Sequence, residues 1–599
     1  MSRVRLVYRL DDGREREISV PPGVTAFDAA SWNGIAIDST CGGHGTCRKC
    51  GVRITGGSVP PTPLDGRAYE ADRLRDGWRL ACRAVAGEDL TIEVPPLGTR
   101  PKAATVGVGR QVILRPAVQK RYLELAEPCL ADQRSDLERL QAALDDLEPR
   151  ADLDVLRRLG PVLRAAGWKV TAVVADDVLI DVEPGDTTAR RFGIAFDLGT
   201  TTVVATLLDL ATGAPLAAAS RLNAQQPFGA DVITRISATM MDAGALPRLR
   251  DLAHATLDEL AQEVCKEAEA EPGEVYEIAV AGNATMIHLA LGLDPEPLGV
   301  APFIPAARTM PESRAADFGV AVHPAARATV FPALGAYVGG DIVAGLLASG
   351  MDRDRRLRLF IDVGTNCEIV LGSVAGLVAT AAPAGPAFEG AAVRCGMRAA
   401  AGAIETVRLA PDGVELGVIG DVAPTGLCGS GLVDAVAELV RTGLVDASGR
   451  LTTAADAPML AGRLTQVNGE RAFILHGGIR LFQRDIRELQ FAKAAIATGW
   501  SLLLEEAGIG AGDLAQVLLA GSFGSYLSPA NAIRIGLVPA LPVPRVVSAG
   551  NVAGEGAKLA LLSRRERAGA DALLEEVRYV ELSDRADFND RFIANLAFP

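Results

Sequence analysis

Four cysteines near the amino terminus constrain the fold of this chain more than any other feature. Cys41, Cys47 and Cys50 lie in a glycine-rich segment, and Cys82 follows at a distance. The spacing C-x5-C-x2-C…C is one residue longer than the C-x4-C-x2-C…C pattern that binds a 2Fe-2S cluster. Glycine permits the positive φ angles that turn backbone N–H groups toward cluster sulfurs. The segment therefore predicts an iron–sulfur site.

A structural zinc site is the main alternative, because four thiolates also suit tetrahedral zinc. Zinc sites commonly consist of two CxxC pairs, whereas only Cys47 and Cys50 form such a pair here. Nine cysteines, an odd number in a chain of 599 residues, are typical of a reducing compartment and argue against a disulfide framework. His44 stands alone among better ligands, so a Rieske centre is not indicated.

The composition is that of a globular protein with several domains, because 599 residues exceed a single core and 49% are hydrophobic. A net charge of -14 and the absence of a basic stripe argue against nucleic-acid binding. The amino terminus lacks the apolar segment of a secretory signal, and no uncharged apolar run reaches the ~20 residues that span a bilayer. We therefore expect a cytoplasmic protein with neither nucleic-acid nor membrane partners.

Residues 1–95 show the pattern of a small β domain. Residues 3–10 and 15–20 alternate between apolar and polar around Asp12-Gly13, which predicts a hairpin, and a short helix is expected near 25–32. Together with the cysteine segment, this pattern resembles the β-grasp 2Fe-2S ferredoxins. The resemblance implies that the cluster is bound by Cys41, Cys47, Cys50 and Cys82.

Residues 96–190 are predicted to form a linker and a small α/β domain, since prolines and glycines follow residue 94. Helical periodicity extends over 118–165, with a capped start at Ser135 and Glu138. A strand pair is expected around 168–174 and 178–182. We expect this region to serve in packing.

Two similar turns mark residues 191–599. The sequence D-L-G-T-T at 197–201 and the sequence D-V-G-T-N at 362–366 each lie between apolar segments. This repetition predicts a duplicated domain, with halves at about 191–355 and 356–599. A Gly-Thr turn directs N–H and hydroxyl groups at one point, which suits phosphate oxygens, and an aspartate can bind Mg²⁺ or its waters.

With the segment A-G-S-F-G at 520–524, these turns resemble the ATPase superfamily of acetate and sugar kinases, heat-shock chaperones and actin. The resemblance implies two halves that close over ATP with Mg²⁺. The implied catalytic residues, which position Mg²⁺ and the attacking water, are Asp197 and Asp362. The implied phosphate contacts are Gly199, Thr200, Thr201, Gly364, Thr365 and Asn366. The implied adenosine contacts are Gly521, Ser522 and Gly524.

Further segments narrow the family within this superfamily. They lie at 228–236, 281–286, 385–390, 426–431 and 483–490. Combined with the ferredoxin region, the chain closely resembles the reductive activators of corrinoid-dependent enzymes over nearly its whole length. The fold class expected is therefore multidomain α+β and α/β, with a β-grasp ferredoxin, a small α/β middle region and a duplicated actin-like ATPase fold. Two small residues, Cys367 and Ser522, stand where glycine is expected or common, and we expect the nucleotide site to retain its shape.

The resemblance also implies the chemistry. Such an activator uses ATP to return a corrinoid from Co(II) to Co(I) on a methyltransferase or methyl-carrier protein, and its 2Fe-2S cluster relays the electron. The implied partners are that corrinoid protein and a low-potential electron donor, and a homodimer is compatible with the sequence.

Three other functions are weighed against this interpretation. An electron carrier that does not use ATP would leave the two phosphate turns unexplained. A small-molecule kinase of the same superfamily would require the cluster to be purely structural. A dehydratase activator would bind a 4Fe-4S cluster between subunits, for which Cys395 and Cys428 are the available ligands, although neither belongs to a CxxC pair.

Overall fold

A computed structural model gives the structure of the chain. The residues it describes are 3–10, 13–33, 35, 37, 50–95, 106–144, 147, 149–364, 366–390, 393–410, 413–452, 458–582 and 585–599. They form four regions in chain order, and hydrophobic side chains are buried within each of them.

The first region is a five-stranded sheet with a helix packed against it. Its elements are β1 (Val4–Arg9), β2 (Glu15–Val20), α1 (Ala26–Trp32), β3 (Gly51–Gly56), α2 (Asp65–Ala68), α3 (Ala71–Arg75), β4 (Trp78–Leu80) and β5 (Leu90–Glu93). The strand order is β2-β1-β5-β3-β4, and β1 is antiparallel to β2 and parallel to β5. The buried Tyr8 hydroxyl donates to Ala26 O at 2.7 Å and ties the sheet to α1. The β-grasp prediction is confirmed, with its hairpin and helix; Asp12 lies outside the described residues.

The second region is a four-stranded sheet with two helices. Its elements are β6 (Val118–Glu124), α4 (Asp136–Ala142), β7 (Arg150–Ala151), α5 (Leu153–Ala165), β8 (Lys169–Ala175) and β9 (Val178–Pro184). The strand pair β8–β9 and the capping box between Ser135 and Glu138 are confirmed. The prediction of helix from residue 118 is wrong, because 118–124 forms β6. A strand is expected to alternate between apolar buried and polar exposed residues, but the polar Lys120 occupies a buried position of β6. Its Nζ lies 2.9 Å from Tyr276 Oη and 2.8 Å from Glu183 Oε2.

The third region holds the first of the two similar turns. Its elements are β10 (Phe192–Leu198), β11 (Thr202–Asp209), β12 (Pro215–Leu222), α6 (Val232–Met241), α7 (Ala245–Glu267), β13 (Val275–Gly282), α8 (Ala284–Leu291), α9 (Glu296–Gly299), β14 (Ser313–Arg314), β15 (Arg327–Val330) and α10 (Gly340–Ser349). The sheet order is β12-β11-β10-β13-β15-β14. Strand β10 is antiparallel to β11 and parallel to β13.

The fourth region holds the second turn. Its elements are β16 (Arg358–Asp362), β17 (Cys367–Ser373), β18 (Gly376–Ala382), β19 (Ala403–Ala410), β20 (Gly413–Val418), β21 (Gly426–Leu427), α11 (Gly429–Arg441), β22 (Leu464–Val467), β23 (Glu470–His476), β24 (Ile479–Phe482), α12 (Gln483–Glu506), β25 (Gln516–Ala520), α13 (Gly521–Gly524), α14 (Pro529–Arg534), β26 (Val546–Gly550), α15 (Val552–Leu562), α16 (Arg564–Glu576), β27 (Val577–Tyr579) and α17 (Phe588–Ala594). The main sheet has the order β26-β25-β16-β17-β18-β27.

The two sheets repeat one local arrangement around their turns. Asp197 at the end of β10 lies opposite Ala281 of the parallel strand β13. Asp362 at the end of β16 lies opposite Ala520 of the parallel strand β25. Helix α15 of the fourth region packs on α10, β10 and β13 of the third, so the two regions interlock and their turns face each other. This is the duplicated architecture that the sequence predicts.

The segment that precedes the second region is attached to the third and fourth regions. Val106 O accepts from Asn551 N at 3.1 Å, and Val108 N donates to Ala549 O at 2.6 Å. Arg110 donates to Leu347 O at 3.0 Å, on α10. The chain that leads from the ferredoxin region is therefore held beside the end of β26, next to the cleft described below.

Candidate active site

The first turn, residues 199–201, connects β10 to β11 and lines a cleft between the two sheets. A Cβ atom on Gly199 would lie 2.3 Å from Thr202 O, so the turn accepts no side chain there. The Asn223 amide donates to Gly199 O at 2.9 Å and supports the turn from behind. Asp197, half-buried at the end of β10, faces the same cleft.

The second turn connects β16 to β17 and contributes Asp362, Gly364 and Asn366 to the cleft. Thr365 lies outside the described residues. Cys367 is fully buried, and its thiol donates to Gly364 O at 3.2 Å. The cysteine that replaces the expected glycine therefore points away from the cleft and supports the turn.

Two carboxylates that the sequence did not single out lie between the turns. Asp341 is in the first turn of α10, and Glu368 follows the second phosphate turn on β17. Burial and the charges of Asp341 and Asp197 raise the pKa of Asp362 to about 8. Burial and Asp341 raise the pKa of Asp197 to about 7, against the opposing effect of the Asn551 amide.

The pKa values of the other two carboxyl groups, those of Asp341 and Glu368, are also raised. Burial raises the pKa of Asp341 to about 6, although the Ile342 N–H, which donates to it at 3.0 Å, opposes the rise. Burial raises the pKa of Glu368 well above its ordinary value, and the charges of Asp341 and Asp362 add to this. The four groups therefore repel one another when the cleft holds no cation.

The cleft is partly open to solvent, and the described residues that line it include no lysine or arginine. No three described carboxylate, histidine or cysteine side chains are placed to bind a metal ion by themselves. Mg²⁺ prefers oxygen ligands and is commonly held by one or two carboxylates together with substrate phosphates. The residues present therefore fit Mg²⁺ that arrives with a polyphosphate, because a free polyphosphate would be repelled.

The glycine segment at 521–524 forms α13 against the second turn. Gly521 has φ +86°, and a Cβ atom there would lie 2.3 Å from Asp362 Oδ1. Gly521 therefore lines the cleft beside Asp362. Gly524 is not among the residues that line it, and the side chain of Ser522 lies outside the described part of the structure.

Gly521→Ala is expected to weaken ATP binding at least ~10-fold, because a positive φ in a non-glycine residue and the contact with Asp362 both oppose the native geometry. Isothermal titration calorimetry would measure this. Gly524→Ala is the matched control, because the nearest atom to its Cβ would be at 3.4 Å, an ordinary contact. Equal affinities for the two variants would contradict the assignment of Gly521 to the site.

An apolar extension opens from the phosphate cleft. Phe388 and Phe523 stack with their ring centroids 4.9 Å apart, and Tyr526 and the first residues of α11 lie beside them. Three charged residues, Glu389, Arg398 and Glu405, also line this space. Thr201 and Gly364 line both spaces. The extension therefore places aromatic side chains next to both turns.

The predicted cluster ligands that the structure describes lie together. Cys50 precedes β3 and Cys82 follows β4, and both are buried. Their Sγ atoms are 3.2 Å apart, well beyond the length of a disulfide bond. Two buried sulfurs at this separation fit joint binding of one iron ion. Cys41 and Cys47 lie outside the described residues.

Sequence reasoning placed the two turns but missed Asp341, Glu368, Asn551 and the aromatic pair. A signal for Asp341 was available: Gly339 and Gly340 precede it at the start of α10. A Cβ atom on Gly339 would lie 2.7 Å from Asn283 Cα, and one on Gly340 would lie 2.6 Å from Phe331 O. No side chain fits at these two positions, so the pair of glycines before Asp341 could have indicated that this part of the chain is closely packed.

A duplicated fold with two similar turns facing one cleft, joined to a β-grasp ferredoxin, defines an iron–sulfur protein with an ATPase domain of the ASKHA class. Family comparisons agree with this. A 2Fe-2S iron-sulfur cluster binding domain matches residues 10–87. The RACo linker region matches 107–189, the RACo middle region 192–354, and the C-terminal ASKHA domain of RACo 356–599.

The corrinoid activation enzyme RamQ of Eubacterium limosum is 34% identical and aligns over 98% of both chains. A [Co(II) methylated amine-specific corrinoid protein] reductase of Methanosarcina barkeri is 25% identical over 68% of this chain and 77% of its own. The solved structure of a reductive activator for corrinoid, iron-sulfur protein superposes with a TM-score of 0.75 at 33% identity, covering 100% of this chain and 98% of the other. This chain therefore belongs to the RACo family of corrinoid activators. It contains a 2Fe-2S ferredoxin domain and an ATP-binding ASKHA domain.

No helix within the described ranges is both long enough and apolar enough to span a membrane.

Proposed function

We propose that this protein is an ATP-dependent activator that reduces Co(II) to Co(I) in the corrinoid of a partner methyltransferase or methyl-carrier protein. One observation carries the proposal: a single chain joins a buried cysteine pair in a ferredoxin fold to an acidic nucleotide cleft. Its similarity over 98% of its length to a corrinoid activation enzyme supports the same conclusion.

In the electron-transfer step, cobalt gains one electron from the ferredoxin domain, and a low-potential external donor then returns one electron to that domain. When bound, a 2Fe-2S cluster of this type supplies one-electron transfer near roughly -400 mV. Each ~59 mV of unfavourable one-electron transfer costs about 1.4 kcal/mol. A gap of a few hundred millivolts therefore requires several kcal/mol, which the nucleotide must supply.

The nucleotide can contribute only through different affinities for two conformations or complexes. We place the phosphates on the two turns and the adenosine in the apolar extension beside Phe388 and Phe523. Asp197 and Asp362 would hold Mg²⁺ and orient the water that attacks the terminal phosphate, which would give ADP and inorganic phosphate. Transfer to water needs mainly positioning and charge stabilisation, so no covalent phosphoenzyme is required.

We place this activity in the cytoplasm, because a protein with nine cysteines and an iron–sulfur cluster suits a reducing compartment. The corrinoid client and the electron donor are separate proteins in this proposal.

At about pH 8.5, where Asp197, Asp341 and Asp362 are mostly ionised, removal of divalent cations is expected to weaken ATP binding at least ~100-fold, because these carboxylates then repel the phosphates. Equilibrium dialysis with ATP in EDTA and in excess Mg²⁺ would measure this. Adenosine, which carries no phosphate, serves as the matched ligand and should bind equally in both conditions. Tight ATP binding in EDTA would contradict the metal-dependent cleft.

The proposed function is tested anaerobically with the purified protein, a low-potential reductant and a series of Co(II) corrinoid proteins. The visible spectrum is followed for Co(I) with and without MgATP. We expect Co(I) with at least one corrinoid protein, and only when MgATP is present. ATP turnover that phosphorylates a small metabolite, without any cobalt reduction, would favour a kinase instead.

A further inference from the structure

Arg235 of α6 lies beneath the first phosphate turn and has an exposed fraction of 0%. Its Nε donates to Gly229 O at 2.9 Å, and one terminal nitrogen donates to Gln225 Oε1 at 2.9 Å. The other terminal nitrogen donates to Thr200 O at 2.6 Å, directly behind the turn. The planar guanidinium thus links Thr200 O of the first turn to Gly229 O and Gln225, which precede α6.

The charge of Arg235 has no carboxylate within ion-pair distance among the described residues. Burial lowers the pKa of its guanidinium to about 9, whereas Asp231 and Glu389 act in the opposite direction. The side chain is therefore protonated near neutral pH. The carboxylate of Asp231 caps α6 by accepting from Thr234 N at 2.7 Å. A buried charge without a direct partner is costly unless another group compensates it.

Two sequence segments, at 228–236 and 281–286, meet at this point. Met286 Sδ lies 3.0 Å from the same Arg235 nitrogen that binds Gln225. Asn223, which supports Gly199 O, also approaches Met286 Sδ, at 3.8 Å. Both segments thus form the support of the first turn rather than a separate site.

We infer that Arg235 is a positioning residue for the nucleotide phosphates: it holds the first turn through Thr200 O and supplies positive charge from behind that turn. Arg398 lines only the adjoining extension, whereas Arg235 contacts the turn itself. Because Arg235 is not among the residues that line the cleft, it acts through Thr200 and through its field. The inference rests on the proposed function only in requiring that the cleft bind ATP.

The test compares ATP, ADP and adenosine binding to Arg235→Met, Arg235→Lys and the unchanged protein by calorimetry in MgCl₂. Arg235→Met removes both the support of Thr200 O and the positive charge behind the turn, so we expect ATP binding to weaken about 10- to 150-fold, the range of a charged hydrogen bond. The affinity for ADP should fall less than the affinity for ATP, and the affinity for adenosine should fall less than twofold. Arg235→Lys keeps the positive charge but loses the paired hydrogen bonds of the guanidinium. Its ATP affinity should lie between that of the methionine variant and that of the unchanged protein.

The matched control is Arg139→Met. Arg139 is also buried and donates to Asp132 Oδ2 at 2.7 Å and to Asp132 O at 3.2 Å, but it lies in the second region. This control should lower the melting temperature without changing nucleotide affinity. Equal losses for ATP, ADP and adenosine in Arg235→Lys would show a purely structural role and overturn the inference, as would unchanged ATP affinity in Arg235→Met. Neither result depends on a corrinoid partner, so each is separate from a failure of the proposed function.

Discussion

Asp362→Asn is expected to lower the turnover of MgATP about 10²- to 10³-fold, the usual effect of removing one electrostatic group from an active site. The amide has nearly the same shape as the carboxylate but cannot offer a negative charge to Mg²⁺. Phosphate release, measured with a coupled colorimetric assay, should fall, and ATP-dependent Co(I) formation should fall with it.

This loss should not arise from unfolding. The pKa of Asp362 in the folded cleft is raised to about 8, above its value in the unfolded chain, so the charged form is destabilised in the folded state. Its contribution to stability is therefore most unfavourable above pH 8 and diminishes as the pH falls. Asparagine removes this penalty, and the nucleotide-free variant should melt at a higher temperature than the unchanged protein at pH 8.

Asp434→Asn provides the matched control for Asp362. Asp434 is a buried carboxylate of the same region and accepts from Asn531 Nδ2 at 2.7 Å, but it does not line the phosphate cleft. Its substitution should leave ATP turnover within about twofold, as for a distant site. Equal losses in the two variants would contradict the catalytic role given to Asp362.

Cys82→Ser is expected to reduce Co(I) formation to background while ATP turnover remains. Cys82 and Cys50 are buried with their Sγ atoms 3.2 Å apart, so loss of one thiolate breaks the joint iron site. The visible and electron paramagnetic resonance spectra of the reduced protein should lose or shift the 2Fe-2S signal. ATP hydrolysis, which belongs to the other domain, is the internal control.

Cys265→Ser is the matched control for Cys82. Cys265 is a buried thiol of α7, and burial raises its pKa to about 11, so it remains protonated and unsuited to iron binding. Its substitution should leave the iron–sulfur spectrum unchanged. An unchanged spectrum in Cys82→Ser as well would contradict the proposed ligand set.

The parts predicted from the sequence are those in which local pattern and fold agree. The two phosphate turns follow from short contiguous motifs, and Gly199 and Gly521 stand where no side chain fits. The hairpin of the ferredoxin region and the cap at Ser135 follow in the same way. Each of these features depends on residues within a few positions of one another.

The parts that were missed depend on contacts between distant segments. Asp341 reaches the cleft from the start of α10, and Asn551 reaches it from the loop after β26. Residues 118–124 form a strand because they pair with β8 along their whole length. The pattern was missed because Lys120, a charged residue, is buried against Glu183 and Tyr276. No local sequence pattern shows that the charge of a buried lysine will be neutralised by groups more than 60 positions away.

The central claim, that ATP drives an electron uphill from the ferredoxin domain to cobalt, is tested most directly at controlled potential. The protein and a Co(II) corrinoid partner are held anaerobically near ~-400 mV, where a cluster of this type is partly reduced. The amount of Co(I) is then measured by its visible absorbance with MgATP, with MgADP and without nucleotide. We predict substantial Co(I) with MgATP and little in the other two conditions. Equal Co(I) in all three would contradict the account, because the electron would then need no help from the nucleotide.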